Sequence, residues 1–191
     1  RLESYITQVI THFEEKFPGV VYCWDVVNEA VGEGSEFDST DPRHIRTTRG
    51  GVSNVFYDTI GSDYVEYAFL YARNTLDALG ADIHLFYNDY NTFYAEKRDA
   101  IIALTRSINS FAVDADGNPR KLCDGVGMQG YIGGYGTQAG CMNVNDLALI
   151  STAIKTYAAE GLEVQLTEMA VRNFDAAKVE DHADFYVRLF K

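Results

Sequence analysis

The chain has 191 residues, 47% of them hydrophobic, which is enough for one sizeable core and too little to argue for two. Lys and Arg total 16 against 28 Asp and Glu, a formal charge of −12 that opposes binding to nucleic acid or to an anionic membrane, so neither is an expected partner. No stretch approaches the length of a spanning helix, and residue 1 opens on an amphipathic pattern without a basic, apolar leader, so a soluble chain is expected.

Leu2, Tyr5, Ile6, Val9, Ile10, Phe13 and Phe17 recur at three- and four-residue spacing, which predicts a helix ending before Pro18-Gly19. A strand is predicted at Val20 to Val27. A polar stretch rich in Gly, Ser, Thr and Asp runs from Gly32 to about Asn54, its acidic part from Glu33 to Asp41 read as a solvated loop. Val65, Phe69, Ala72, Leu76 and Leu79 then mark a helix stopped by Gly80. Ile83 to Tyr87 reads as a strand, Ala95 to Ser110 as a helix, Asp116 to Pro119 as a turn, and Gly125 to Met128 as a third strand. A glycine-rich loop from Gly130 to Asn143 leads to a helix capped by Asn145 and closed by Gly161. Leu162 to Leu166 is a fourth strand and Lys178 to Phe190 a last helix.

One helix followed by four strand-helix units implies a parallel sheet, either open and doubly wound or closed as a barrel. The strand ends separate the two: Asn28-Glu29, Asn88 to Asn91, Gln129 and Thr167-Glu168 are all polar, the layout of the active face of a (β/α)₈ TIM barrel. Four units are half of such a barrel, which needs about 250 residues, so residues 1–191 are expected to be part of one catalytic domain.

Trp24-Asp25-Val26-Val27-Asn28-Glu29 and Gln165-Leu166-Thr167-Glu168-Met169 each place a glutamate at a strand end. Cleaving an acetal takes an acid to protonate the departing oxygen and a carboxylate to attack or stabilise the oxocarbenium-like centre, and two such glutamates supply both. A carboxyl separation of about 5 Å would predict retention, and about 6.5–9.5 Å inversion.

Together with Tyr87 to Asn91 and Asp124 to Gln129, these strings resemble glycoside hydrolase family 10, the endo-β-1,4-xylanases, over nearly the whole chain. The resemblance implies strand four to helix seven of the barrel, with Glu29 as acid/base and Glu168 as nucleophile. It implies substrate contacts from Asn28, Gln129 and Tyr131 and, on the family's strand-five rim, from Asn88, Tyr90 and Asn91. Implied too are a secreted enzyme, xylan and xylo-oligosaccharides as substrate, no cofactor or metal, and missing barrel segments from the same parent protein. A catalytically weakened xylan-binding barrel and a related retaining β-1,4-glycanase are the alternatives.

Two positions depart from the family pattern. Most members carry a histidine two residues after the strand-six glutamine and an aspartate two after the nucleophile; here these are Tyr131 and Ala170. The expectation is that the Tyr131 hydroxyl donates directly to Glu168 and holds it ionised.

Other signals carry less. Gly125 to Gly130 matches the dinucleotide fingerprint but overlaps a strand rather than opening a helix. Trp24 is expected to pack in the core, and Tyr135 to pack its loop rather than stack on sugar. Cys23, Cys123 and Cys141 have no metal-ligand spacing; whether Cys123 and Cys141 pair is open, because the count is odd.

Overall fold

The structure, a computed structural model, describes residues 1–133, 144–173 and 175–191. Helix α1 (Leu2–Lys16) stops where Pro18 and Gly19 cannot continue it. The strand that follows, β1 (Cys23–Asn28), starts later than its apolar run, because pairing with the next core strand begins only at Cys23. Trp24 is half-buried against the core, edge-on to Phe13 with ring centroids 5.3 Å apart.

The polar stretch after Glu29 is more structured than its composition suggests. Thr48–Arg49 (β2) and Val52–Ser53 (β3) form a hairpin whose two turn residues, Gly50 and Gly51, have φ of 57° and 81°. Both positions need positive φ, which glycine adopts without steric cost. Asn54 then caps α2 (Val55–Ile60), its side chain accepting from the backbone N–H of Phe56 and Tyr57. The acidic run is only in part a solvated loop: residues 34–35 and 38–40 are exposed, but Glu33 lies 3.5 Å from Lys97, Glu36 pairs with Arg46, and Asp41 with Arg43 at 3.0 Å.

Helix α3 (Tyr64–Leu79) ends on Gly80 in the left-handed conformation and leads into β4 (His84–Asp89), and α4 (Ala95–Ser110) has its predicted bounds. Next come β5 (Gly125–Ile132), α5 (Val144–Ala159), β6 (Glu163–Val171), a 3₁₀ turn at Ala176–Lys178 and α6 (Val179–Leu189). Asn145 lies inside α5 instead of capping it. β5 and β6 outrun their predicted ends because they keep pairing as far as Ile132 and Val171.

The core strands are parallel and ordered β1-β4-β5-β6, so neighbours in space follow chain order. A doubly wound sheet would reverse direction from its first strand; a barrel segment does not. Successive helices touch, α1 with α3, α3 with α4, α4 with α5, α5 with α6, and form one outer layer. Between this layer and the sheet lie Phe69, Leu76, Leu85, Tyr87, Ile101, Leu104, Val126, Met128 and Tyr157, all buried. The opposite face of the sheet carries the polar residues of the site.

Two irregularities interrupt the ladder. β1 has an extra residue between Asp25 and Val27, and β6 advances from Thr167 to Ala170 while β5 advances only from Gln129 to Tyr131. A bulge of this kind re-aims the side chains beside it.

Candidate active site

The site is organised around Asn88. Strand alternation turns Leu85 and Tyr87 toward the helices and Phe86 and Asn88 the other way, against two glycines of β5. A Cβ on Gly127 would lie 2.4 Å from Asn88 Oδ1, and one on Gly125 2.3 Å from Phe86 Cε1, so both glycines make room for their neighbours. The Thr167 hydroxyl donates to Asn88 Oδ1 at 2.6 Å, which fixes the amide's orientation. Asn88 Nδ2 then donates to Asn28 Oδ1 at 2.9 Å and to Glu168 Oε1 at 3.2 Å.

From Asn28 the chain of amides continues. Gln129 Nε2 donates to Asn28 Oδ1 and to Glu29 Oε1, each at 3.1 Å. Glu29 and Glu168 are therefore joined by three amides, one from each of β1, β4 and β5. On the far side of Glu168, the Tyr131 hydroxyl donates to Oε2 at 2.6 Å, the bond expected from the sequence.

Both glutamates have left-handed backbone, with φ of 55° at Glu29 and 35° at Glu168. Non-glycine residues rarely hold this conformation, which costs on the order of 1–3 kcal/mol and persists only where the surroundings enforce it. At Glu29 the enforcement is visible: its N–H bonds to Asn88 O at 2.9 Å and its carbonyl accepts from Arg46 Nε at 3.1 Å. At Glu168 it is the bulge of β6.

The electrostatics differ around the two carboxylates. Burial pushes the Glu29 carboxyl up, but hydrogen bonds from Gln129 and Arg49, with the charges of Arg49 and Arg46, outweigh it and hold Glu29 below the usual glutamate range. The Arg49 contact is direct, Nη1 to Glu29 Oε2 at 2.6 Å. Near Glu168, the Asp25 carboxyl of β1 is pushed upward by burial and then by the Glu168 charge.

Glu29, Gln129, Tyr131 and Glu168 face one open cleft of about 650 Å³, together with Tyr90 and Asn91. Tyr90 is held from both sides: its hydroxyl accepts from Arg46 Nη2 at 3.1 Å, and Lys97 Nζ lies 4.1 Å from its ring centroid. Asn91, with φ of 56°, donates to Glu33 Oε1 at 3.1 Å. Asn88 is placed otherwise than expected. It is 2% exposed, and it positions the groups facing the cleft instead of facing it.

The rim rests on a buried pair beneath it. Lys97 Nζ is 3.1 Å from Asp89 Oδ1 and donates to Val31 O at 2.8 Å, while Asp89 also accepts from the Tyr87 hydroxyl and from Tyr90 N–H. Burial raises the Asp89 carboxyl above its ordinary range despite these partners.

Sequence reasoning missed Glu33, Arg49 and Arg172, which also line the cleft. The Gly-Gly pair after Thr48-Arg49 is a hairpin signal that points to Arg49; nothing local marks the other two. The Gly125 to Gly130 string lies wholly within β5. Among the described residues no three His, Cys, Asp or Glu side chains gather as a metal site. Cys123 is buried, its thiol pushed up to about 12 by burial; Cys141 and Tyr135 lie outside the described residues.

Known proteins share this arrangement of strands. A putative endo-1,4-beta-xylanase of Caldicellulosiruptor saccharolyticus is 33% identical over 197 residues, which cover 100% of this chain and 54% of that protein. An endo-1,4-beta-xylanase A of Thermotoga neapolitana is 36% identical over 90% of this chain and 13% of its own length. The chain thus spans about half the length of the first relative and far less of the second. Among solved structures, an endo-1,4-beta-xylanase from Caldicellulosiruptor owensensis superposes with a TM-score of 0.70 at 27% identity, over 98% of this chain and 50% of that one. An intracellular xylanase from Thermoanaerobacterium saccharolyticum, a mutant in complex with xylotriose, gives 0.70 at 26% identity, over 98% and 49%. The family model of glycosyl hydrolase family 10 matches residues 1–191, and the chain, half of a (β/α)₈ barrel, belongs to that family.

Proposed function

We propose that the complete barrel containing this chain is a retaining endo-1,4-β-xylanase. The observation that carries the reading is the run of three amides joining Glu29 to Glu168 at the mouth of one cleft. In the first step Glu168 attacks the anomeric carbon while Glu29 gives its proton to the glycosidic oxygen; that C–O bond breaks and a glycosyl ester forms on Glu168. In the second, Glu29 takes a proton from water as the water oxygen attacks the same carbon. The ester bond then breaks, and both glutamates return to their starting states.

Xylan as substrate is supported by the xylanase relatives and by the xylotriose complex of a structural neighbour. The remaining barrel strands belong, in this reading, to the same parent protein. Among the described residues β1 has one sheet partner, and beside it an apolar hollow of about 560 Å³ is lined by Leu2, Ile6, Val26, Val27, Phe56 and Ile60. Strands completing the barrel would cover it. Secretion is the part of this proposal that rests on polymeric xylan not crossing a membrane, the Thermoanaerobacterium saccharolyticum neighbour being an intracellular xylanase; xylanase activity confined to the cell pellet of a culture would argue against it. A barrel that only binds xylan is the alternative raised by the replacements at 131 and 170; the Tyr131 bond to Glu168 supports a substituted network over a decayed site.

Proton NMR of xylo-oligosaccharide cleavage tests the stereochemistry. The β-anomer should be the first product to accumulate; initial release of the α-anomer would mean an inverting water and would rule out Glu168 as nucleophile.

A further inference from the structure

Glu29 has to present a proton to the leaving oxygen, yet both its carboxylate oxygens already have donors. Gln129 holds Oε1 at 3.1 Å and Arg49 holds Oε2 at 2.6 Å. The two donors differ in how firmly they are fixed. Gln129 is 1% exposed and tied to Asn28, whereas the Arg49 side chain is 60% exposed. Arg49 also sits at the tip of a two-residue strand, next to Gly50 and Gly51 and paired with Val52, itself 71% exposed. Glu29 is the immobile partner, with 16% side-chain exposure and its backbone bonded at N–H and C=O.

We propose that Arg49 is a positioning residue acting as a displaceable clamp on Glu29, pushed aside on its hairpin by the leaving-group sugar so that Oε2 is freed for the glycosidic oxygen. The clamp rests on the reading of Glu29 as acid/base. A docked guanidinium favours the carboxylate over the acid by charge and by hydrogen bonding. Donation of a proton in the first step therefore requires Arg49 to leave. In the second step Glu29 must accept a proton from water, and a returning Arg49 orients the carboxylate that does so. One arginine with two positions suits both halves of the reaction. The other charged or titratable groups around Glu29 are Arg46 behind its carbonyl and Glu33, Tyr90, Tyr131, Glu168 and Arg172 along the cleft. Of these, Arg46 adds to the downward pull on the Glu29 carboxyl through its charge.

The upper limb of the kcat/KM profile reports the acid of the free enzyme, so the test is that profile for the complete barrel on a xylo-oligosaccharide. Wild type, Arg49→Gln and Arg49→Lys are compared. Without the guanidinium the Glu29 proton is lost at higher pH, so Arg49→Gln should move the upper limb upward and retain several-fold more activity than wild type beyond it. Arg49→Lys, which keeps the charge, should return the limb toward its original place. A uniform loss at every pH, with the limb unmoved in Arg49→Gln, means that Arg49 merely ties down the hairpin and overturns the clamp alone. No hydrolysis by the folded wild-type barrel overturns the reading of Glu29, and the clamp with it.

Discussion

Tyr131 and Ala170 are partners in the β5–β6 register, and from that position the Tyr131 hydroxyl reaches Glu168 Oε2 at 2.6 Å. The two departures from the family pattern are thus neighbours across one ladder, and the bond they allow goes to the carboxylate that the usual pair would serve. Their adjacency predicts that the two positions act as one rewired unit.

Tyr131→Phe removes only the hydroxyl. A hydrogen bond to a charged group contributes about 1.5–3 kcal/mol, so kcat/KM should fall roughly tenfold to a hundredfold. Steady-state kinetics on a xylo-oligosaccharide check this, and an unchanged kcat/KM would show the bond to be idle. The register makes a second demand: Tyr131→His alone leaves an imidazole without an orienting carboxylate, and adding Ala170→Asp should recover part of the loss. Losses that simply add would mean that the two positions are not coupled.

Gly127 has no positive φ to explain it; it is there because Asn88 occupies the space of its missing Cβ. Gly127→Ala should displace the Asn88 amide, at a cost of about 1–3 kcal/mol from overpacking, and lower kcat through lost alignment of Glu168. Thermal unfolding and kinetics on the same sample measure both. A destabilised variant with full kcat would show that Asn88 does not align the nucleophile.

The pair Lys97–Asp89, with side chains 3% and 0% exposed, holds the rim at the end of β4 from below. Lys97→Met leaves a buried carboxylate without its cation and should cost about 3–5 kcal/mol in denaturant unfolding at neutral pH. Because Asp89 would then favour its neutral form, the deficit should shrink in acid. A deficit independent of pH contradicts a charge-based cause.

The Glu29 carboxyl is shifted in the opposite direction from that of Asp89. Its folded-state carboxyl lies below the ordinary range, so its stabilising contribution is complete above that range and is lost as pH falls through the depressed value. Arg49→Gln should therefore be less stable than wild type at neutral pH, by no more than about 1 kcal/mol for so exposed an arginine, and the gap should close in acid. A gap that widened in acid would contradict the assignment.

What the sequence displayed was whatever is local. Helix α4 was readable from its apolar spacing, the end of α3 from Gly80, and the two glutamates from the polar residues after apolar strands. The barrel segment followed from their alternation. Hidden were features that depend on distant partners. The bulges in β1 and β6 arise from pairing with β4 and β5, and no residue in Gln165 to Val171 announces that Glu168 takes positive φ. Glu33 looks like one acid in a solvated run until Lys97 and Asn91 are brought beside it. Asn88 looked like a sugar ligand because it ends a strand, but the pleat turns it onto Thr167, Asn28 and Glu168.

The central claim is that Glu29 and Glu168 together cleave xylan, and reducing-sugar release from xylan by the complete barrel tests it most directly. Wild type, Glu29→Ala and Glu168→Ala are assayed under identical conditions, with folding checked by circular dichroism. Wild type should release sugar, and either variant should lose that release or most of it. A folded wild type that binds xylan without releasing sugar, or a Glu168→Ala variant as active as wild type, would contradict it.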